Sequence, residues 1–175
     1  MEYSVLIAGF GGQGVMSIGK SLVEAGLEEG LEVSWVPSYG PEMRGGTANC
    51  TVIISDEEIA SPVTRQADIV IVMNEPSFVK FEERVKPGGT LIINSSSVDS
   101  RSARTDITSL EVPADAIALS VNNPKASNMV ILGAFLKATK FIEAHEMEGT
   151  IRSQMGRKPQ FLEANLQAFR NGLEL

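Results

Sequence analysis

Gly9-Phe10-Gly11-Gly12-Gln13-Gly14 satisfies a G-x-G-x-x-G pattern. It lies between an apolar, β-branched run, Tyr3-Ser-Val-Leu-Ile-Ala8, and a stretch of helical periodicity, the setting such a pattern requires. Glycines there let the backbone turn sharply and come close to a ligand, while free N–H groups and the start of a helix dipole attract a phosphate or another anion. Gly9, Gly11, Gly12, Gln13 and Gly14 are therefore the candidate cofactor-binding residues, with a tight strand-to-helix turn that binds nothing as the bland alternative. A nicotinamide dinucleotide would also need a carboxylate roughly 20 residues on, at the end of the second strand, to hold its ribose hydroxyls. That strand ends Ser34-Trp35-Val36-Pro37-Ser38, so an NAD-dependent dehydrogenase is disfavoured.

An overlapping pattern, Gly14-Val-Met-Ser-Ile-Gly19-Lys20-Ser21, formally matches the P-loop G-x-x-x-x-G-K-S. Val15 to Ile18 fall inside the expected helix, which carries Lys20 too far along to cradle a phosphate. A stand-alone nucleotide-binding protein, using the glycine loop or the match at 14–21, is accordingly the alternative function. The segment from Pro37 to Gly46 is the least generic part of the chain: three glycines and two prolines set an unusual path around Tyr39, Glu42 and Arg44. These supply a hydroxyl, a carboxylate and a planar guanidinium at a strand end. Asn74-Glu75-Pro76-Ser77 and Asn94-Ser95-Ser96 follow later strand ends, where they can either line the same crevice or cap helices.

The elements that must position these groups alternate. Strands are expected at Tyr3 to Ala8, Leu31 to Val36, Thr47 to Ser55, Asp68 to Met73 and Thr90 to Asn94, with an edge strand at Ser109 to Pro113. Helices are expected at Val15 to Glu29, Pro76 to Val85, Ser127 to Lys140, Ile142 to Met155 and Pro159 to Gly172, and Pro87-Gly88-Gly89 reads as a turn. This order implies a Rossmann-like, doubly wound α/β fold: a mostly parallel sheet, helices on both faces and a helical C-terminus. Ligands of such folds bind at the carboxyl ends of strands, so function is sought after residues 8, 36, 73 and 94. Residues 1–175 are expected to form a single domain.

Composition excludes several functions. Apolar residues make 43% of the 175 residues and charged residues 21%, with a formal net charge of -7; a soluble domain is expected, with no nucleic acid as partner. Cys50 is the only cysteine, so this chain alone builds neither a disulfide, an iron-sulfur cluster nor a thiolate zinc site. His145, the only histidine, lies among Glu143, Glu146 and Glu148 and reads as a solvated surface residue; no metal site is expected. Met129 to Leu136 is too short an apolar run to span a bilayer, and the expected location is cytoplasmic, without a membrane partner.

The glycine loop, the Ser38-Tyr-Gly-Pro-Glu-Met-Arg-Gly-Gly-Thr-Ala-Asn-Cys50 segment, Asn122-Asn-Pro-Lys-Ala-Ser-Asn-Met-Val-Ile-Leu-Gly133 and Asn165-Leu-Gln-Ala-Phe-Arg-Asn-Gly172 together resemble the gamma subunits of 2-oxoacid:ferredoxin (acceptor) oxidoreductases. The resemblance covers nearly the whole chain. It implies a subunit of an enzyme that oxidatively decarboxylates a 2-oxoacid such as pyruvate or 2-oxoglutarate to an acyl-coenzyme A and reduces ferredoxin. Thiamine diphosphate and iron-sulfur clusters would then reside in partner alpha, beta and, in some members, delta subunits. No catalytic residue is expected in this chain, which by itself would be inactive. The same resemblance makes the N–H groups of Gly9 to Gly14 candidates for the coenzyme A phosphates. It makes Ser38, Tyr39, Glu42, Arg44, Gly45 and Gly46 candidates for the surface facing the catalytic partners.

Overall fold

The computed structural model describes residues 1–38 and 47–175; Tyr39, Glu42, Arg44, Gly45 and Gly46 lie outside the described residues. In chain order the elements are β1 (Glu2–Phe10), α1 (Val15–Glu28), β2 (Glu32–Ser38), β3 (Thr47–Ser55), β4 (Ala67–Val72) and α2 (Glu75–Phe81). They continue with β5 (Val85–Asn94), β6 (Thr108–Val112), α3 (Ala114–Ser120), α4 (Ser127–Thr139), α5 (Ala144–Gln154) and α6 (Leu162–Leu173). Among the described residues the strands form one sheet in the order β2-β3-β1-β4-β5-β6. β1, β4, β5 and β6 pair in parallel, whereas β3 runs antiparallel to both β1 and β2. β2 therefore points the same way as β1, and β3 is the one reversed strand. The expected mostly parallel sheet is present, with β3 inserted where a doubly wound fold would put its second strand.

Period-two alternation divides the apolar residues between the faces. Val5, Ile7, Ile69, Ile71 and Ile92 point to one face, where α1, α3, α4, α5 and α6 pack over them. Leu6, Ala8, Val70, Val72, Leu91 and Ile93 point to the other, where Phe78 and Phe81 of α2 cover them. Helices thus occupy both faces, very unequally.

α4 is the keystone of the thicker layer. Its residues from Ser127 through Leu136 are all buried, and a helix apolar on all sides must have neighbours on all sides. It lies between the sheet and α6, and the two helices touch backbone to backbone. A Cβ built on Gly133 would stand 2.1 Å from the Phe169 carbonyl oxygen, and one on Gly172 would stand 2.1 Å from that of Val130. Only glycine at both positions permits this approach.

Two expectations need correction. Pro87-Gly88-Gly89 does not separate elements but lies inside β5 as a bulge, because Ala67 pairs with Val85 and Ile69 with Thr90, leaving Lys86 to Gly89 opposite Asp68 alone. Gly88 has φ 80° there. Secondly, α3 was not expected: it has seven residues and begins straight after Pro113, too short for periodicity to register.

The bulge brings Lys86 Nζ within 2.9 Å of Asp68 Oδ1, while Asp68 Oδ2 accepts from the Ser4 N–H at 2.8 Å and the Ser4 hydroxyl at 2.6 Å. Burial pushes the Asp68 carboxyl up, but these hydrogen bonds from Ser4 and Lys86 outweigh it and hold the group below its usual range. A carboxylate with a depressed folded pKa stabilises above its unfolded value, about 3.9, and loses that contribution as pH falls through the folded value. Asp68→Asn should therefore cost about 1 kcal/mol at neutral pH, given solvent screening of a half-buried pair. The gap from wild type should shrink below about pH 4, as read by urea denaturation across pH. Gly133→Ala should cost more, about 1–3 kcal/mol through overpacking, and the same titration at pH 7 would show it.

Candidate functional site

The carboxyl ends of β1 and β4 meet beneath the glycine loop, and one side chain joins them. Gln13 Oε1 accepts from the Phe10 N–H at 2.7 Å and from Asn74 Nδ2 at 3.2 Å, while Gln13 Nε2 donates to the Met73 carbonyl at 2.9 Å. The Gln13 N–H closes the turn onto the Phe10 carbonyl at 3.2 Å. The side-chain amide of Gln13 is thus engaged by the protein itself, and from Gly11 to Gly14 what the loop offers outward is backbone. Asn74 also caps α2, its Oδ1 accepting from the Ser77 N–H at 2.9 Å, so capping and convergence on the crevice hold together. Asn94, fully buried, donates to Asp115 Oδ1 at 3.1 Å, and the Ser97 hydroxyl bonds the same carboxylate.

Each glycine has a distinct reason. A Cβ on Gly9 would stand 2.8 Å from Gln13 Oε1 and from Met73 Cβ. Gly12 has φ 93° with open space around it, so its requirement is conformational. Gly14, the N-cap of α1, has φ 80° and lies so close to Asn128 of α4 that a Cβ would stand 2.6 Å from it. Gly11 and Gly12 are exposed. Among the described residues no side chain caps α1 and no acidic residue occupies its first turn. Its first N–H groups and positive dipole end are consequently unclaimed, which is what an anion site needs.

Two clefts flank this point. A crevice of about 140 Å³ is lined by Gly12, Gln13, Met73, Asp115, Lys125 and Ser127 among others. A larger one of about 360 Å³ lies on the other side of the α4 amino end, between α1 and the connection from α5 to α6, and Lys125 borders both.

The P-loop match does not form a P-loop. Gly14 is the N-cap of α1 and Val15 to Ser21 are its first half; Gly19 packs 2.8 Å from Cys50 Sγ, counted from a built Cβ, and Lys20 pairs with Glu24 at 3.4 Å. Nor does the loop have a dinucleotide partner strand, because β3 stands between β1 and β2. The end of β2 is two strand spacings, about 10 Å, from β1 rather than one, and it carries no carboxylate. Cys50 is buried and its thiol is pushed up to about 11 by burial, so it is inert. His145 is exposed. Ser38 is exposed at the end of β2.

The family described as Pyruvate ferredoxin/flavodoxin oxidoreductase matches residues 4–175. The chain belongs to this family. It is 35% identical to the 2-oxoglutarate synthase subunit KorC of Methanothermobacter marburgensis over 182 residues, covering 100% of this chain and 97% of that one. It is also 34% identical to the ketoisovalerate oxidoreductase subunit VorA of the same organism over 174 residues, covering 99% of this chain but only 36% of VorA. The chain therefore spans about a third of the length of that relative. The keto/oxoacid ferredoxin oxidoreductase gamma subunit of Geobacter sulfurreducens superposes with a TM-score of 0.85 at 28% identity, over 98% of this chain and 96% of that one. A 2-oxoglutarate:ferredoxin oxidoreductase chain of Magnetococcus marinus, solved with 2-oxoglutarate, coenzyme A and succinyl-CoA bound, shares the fold with a TM-score of 0.89 at 24% identity. That match covers 99% of this chain and 30% of that one.

The chain presents a glycine loop whose outward face from Gly11 to Gly14 is backbone, and two groups beside it that the motif does not include. Asp115 escaped notice with the short helix that carries it. Lys125 lies in the Asn122 to Gly133 segment, but nothing in one dimension places it against residues more than a hundred positions earlier. Gln13→Ala should leave the fold intact and loosen the loop, so that the Phe10 to Ser17 amides exchange hydrogen faster, by roughly tenfold for the loss of about 1.4 kcal/mol. Unchanged exchange would mean that the amide clamp is not what holds it.

Proposed function

We propose that the chain is the gamma subunit of a thiamine diphosphate-dependent 2-oxoacid:ferredoxin oxidoreductase and that its glycine loop contacts coenzyme A. The observation that carries the reading is the unclaimed start of α1 at the carboxyl edge of the sheet, framed by Gly12 and Gly14 at positive φ. Backbone N–H groups in that arrangement hold the diphosphate of a nucleotide-like substrate even on an acidic chain. Coenzyme A supplies the thiol that takes up the acyl group; this chain contributes to holding it. With one buried cysteine and no thiamine diphosphate motif, the chain leaves redox and decarboxylation chemistry to alpha, beta and, in some complexes, delta subunits, which pass electrons to ferredoxin. The names of KorC and VorA support this assignment, and the Magnetococcus complex supports coenzyme A as the ligand. Ser38 and the segment through Gly46 are the surface we assign to those partners. We read residues 1–175 as one gamma domain of a cytoplasmic complex; among the described residues no helix is long and apolar enough to cross a membrane.

The stand-alone nucleotide-binding reading loses one of its two supports, since residues 15–21 are helix. In an assembled complex, Gly12→Asp should place a carboxylate at the anion site. It should raise the KM for coenzyme A roughly tenfold, equivalent to about 1.4 kcal/mol, with subunit stoichiometry unchanged. A KM equal to wild type in an intact complex would remove coenzyme A from the loop. Loss of assembly instead would make the loop architectural.

A further inference from the structure

The sheet has two edges, and only one of them is blunted. β2 carries Pro37, which has no N–H to offer a neighbouring strand. β6, Thr108–Val112, carries neither proline nor lysine, and its register with β5 runs without a bulge from Thr90 and Thr108 to Asn94 and Val112. Prolines, lysines and bulges are the devices that keep an edge strand from pairing, and β6 has none of them.

The register settles which backbone groups of β6 are left over. The Val112 carbonyl accepts from the Ser95 N–H at 2.8 Å, so Val112 turns toward β5, and period two sends Leu110 and Thr108 the same way. The Asp106 carbonyl, accepting from the Gly88 N–H at 2.7 Å, obeys the same alternation. Ser109 and Glu111 therefore aim N–H and C=O away from the sheet, and both residues are exposed. Beside them a cleft of about 320 Å³ separates β6 from α4, walled by Leu110, Val112, Ala134 and Ala138 and by the half-exposed Leu175.

We infer that β6 pairs with β6 of a second copy of this chain, antiparallel about a two-fold axis at Leu110, so that two sheets become one. Complementarity selects both the occupant and the register. An axis at Glu111 opposes two carboxylates, which is destabilising, and an axis at Ser109 opposes Glu111 with Ile107, an apolar residue packed on the other face of the sheet. The axis at Leu110 sets Ser109 of one copy opposite Glu111 of the other, twice. Each of these pairs exchanges two N–H···O=C bonds, giving four. Side chains agree: Leu110 meets its own copy, Thr108 meets Val112, and the Glu111 carboxylate faces a serine hydroxyl while Arg101 at 2.8 Å balances its charge. Leu110 of the second copy then covers the open side of the cleft. β6 and β2 are opposite edges of the sheet, so the pairing leaves Ser38 and the surface assigned to the catalytic subunits free. It is independent of coenzyme A.

Sedimentation equilibrium of the full chain should give a mass that rises with concentration from 18.8 kDa toward twice that value. Glu111→Pro removes an outward N–H that no bond within the sheet uses, so circular dichroism should be unchanged. Dimerisation should weaken at least about tenfold, because the variant stands on both copies and two hydrogen bonds are lost. Val36→Lys, on the other edge, should leave it unaltered. A wild type that stays monomeric, a folded Glu111→Pro that dimerises as wild type does, or a dimer lost to Val36→Lys instead overturns the pairing. Where Glu111→Pro does not fold, hydrogen exchange of wild type decides: the Ser109 and Glu111 amides must slow as concentration rises, and free exchange in the dimer refutes the contact. Protection that comes only on adding the other subunits gives the edge to a strand of theirs and refutes the second copy.

Discussion

The close crossing of α4 and α6 at Gly133 and Gly172 sets the depth at which α4 lies on the sheet, and the site depends on that depth. A buried helix cannot be adjusted independently at its two ends, because a rigid rod packed on all sides moves as a unit. With the backbones in contact at its middle, the amino end of α4 arrives against Gly14, where Asn128 fills the space a side chain would need. Lys125, just before that end, is thereby delivered beside the glycine loop. A wider crossing, forced by any side chain at Gly133, would draw Asn128 and Lys125 away together.

The sheet under this helix is tied at both ends by polar clamps, one joining β1, β4 and β5 and the other joining β1 to the end of β4. At the amino ends, Asp68 gathers Ser4 and Lys86; at the carboxyl ends, Gln13 gathers the Phe10 N–H, Met73 and Asn74. Between them the strands are held by alternating apolar contacts that tolerate sliding by two residues far better than by one. The clamps are specific where the apolar contacts are not, and the one at the carboxyl end doubles as the scaffold of the loop. Because Gln13 uses its side chain inward, the loop can present bare N–H groups outward without losing its shape.

Much of this was legible in the sequence, for identifiable reasons. β1 and α1 have long, clean periods and glycine punctuation, so their existence and nearly their limits follow from pattern alone. The strand at Thr47–Ser55 was equally readable, but its reversed direction was not, because alternation is the same in both directions and pairing partners are set by tertiary contacts. Asp68 against Lys86, and the β5 bulge that brings them together, required the register. α3 is too short to show a period. The glycine loop was legible because positive φ leaves a residue-type signature. Lys125 carries none: lysine is acceptable at many surface positions, and only its place between the two clefts distinguishes it.

Charge explains why this arrangement suits a subunit more than a stand-alone binder. An acidic chain repels a free polyanion at long range, and its attraction is confined to the α1 start and Lys125 beside it, both acting within about a Debye length, near 8 Å at physiological salt. Capture from solution is therefore inefficient for the isolated chain, whereas a ligand already guided to the neighbourhood by other surfaces encounters a local, correctly signed site. The inserted β3 fits the same logic. By standing between β1 and β2 it removes the strand end at which a dinucleotide's second ribose would be held, and leaves the crevice open on the side of β4, β5 and α4. The fold retains the anion-binding turn of a dinucleotide domain but redirects what lies next to it.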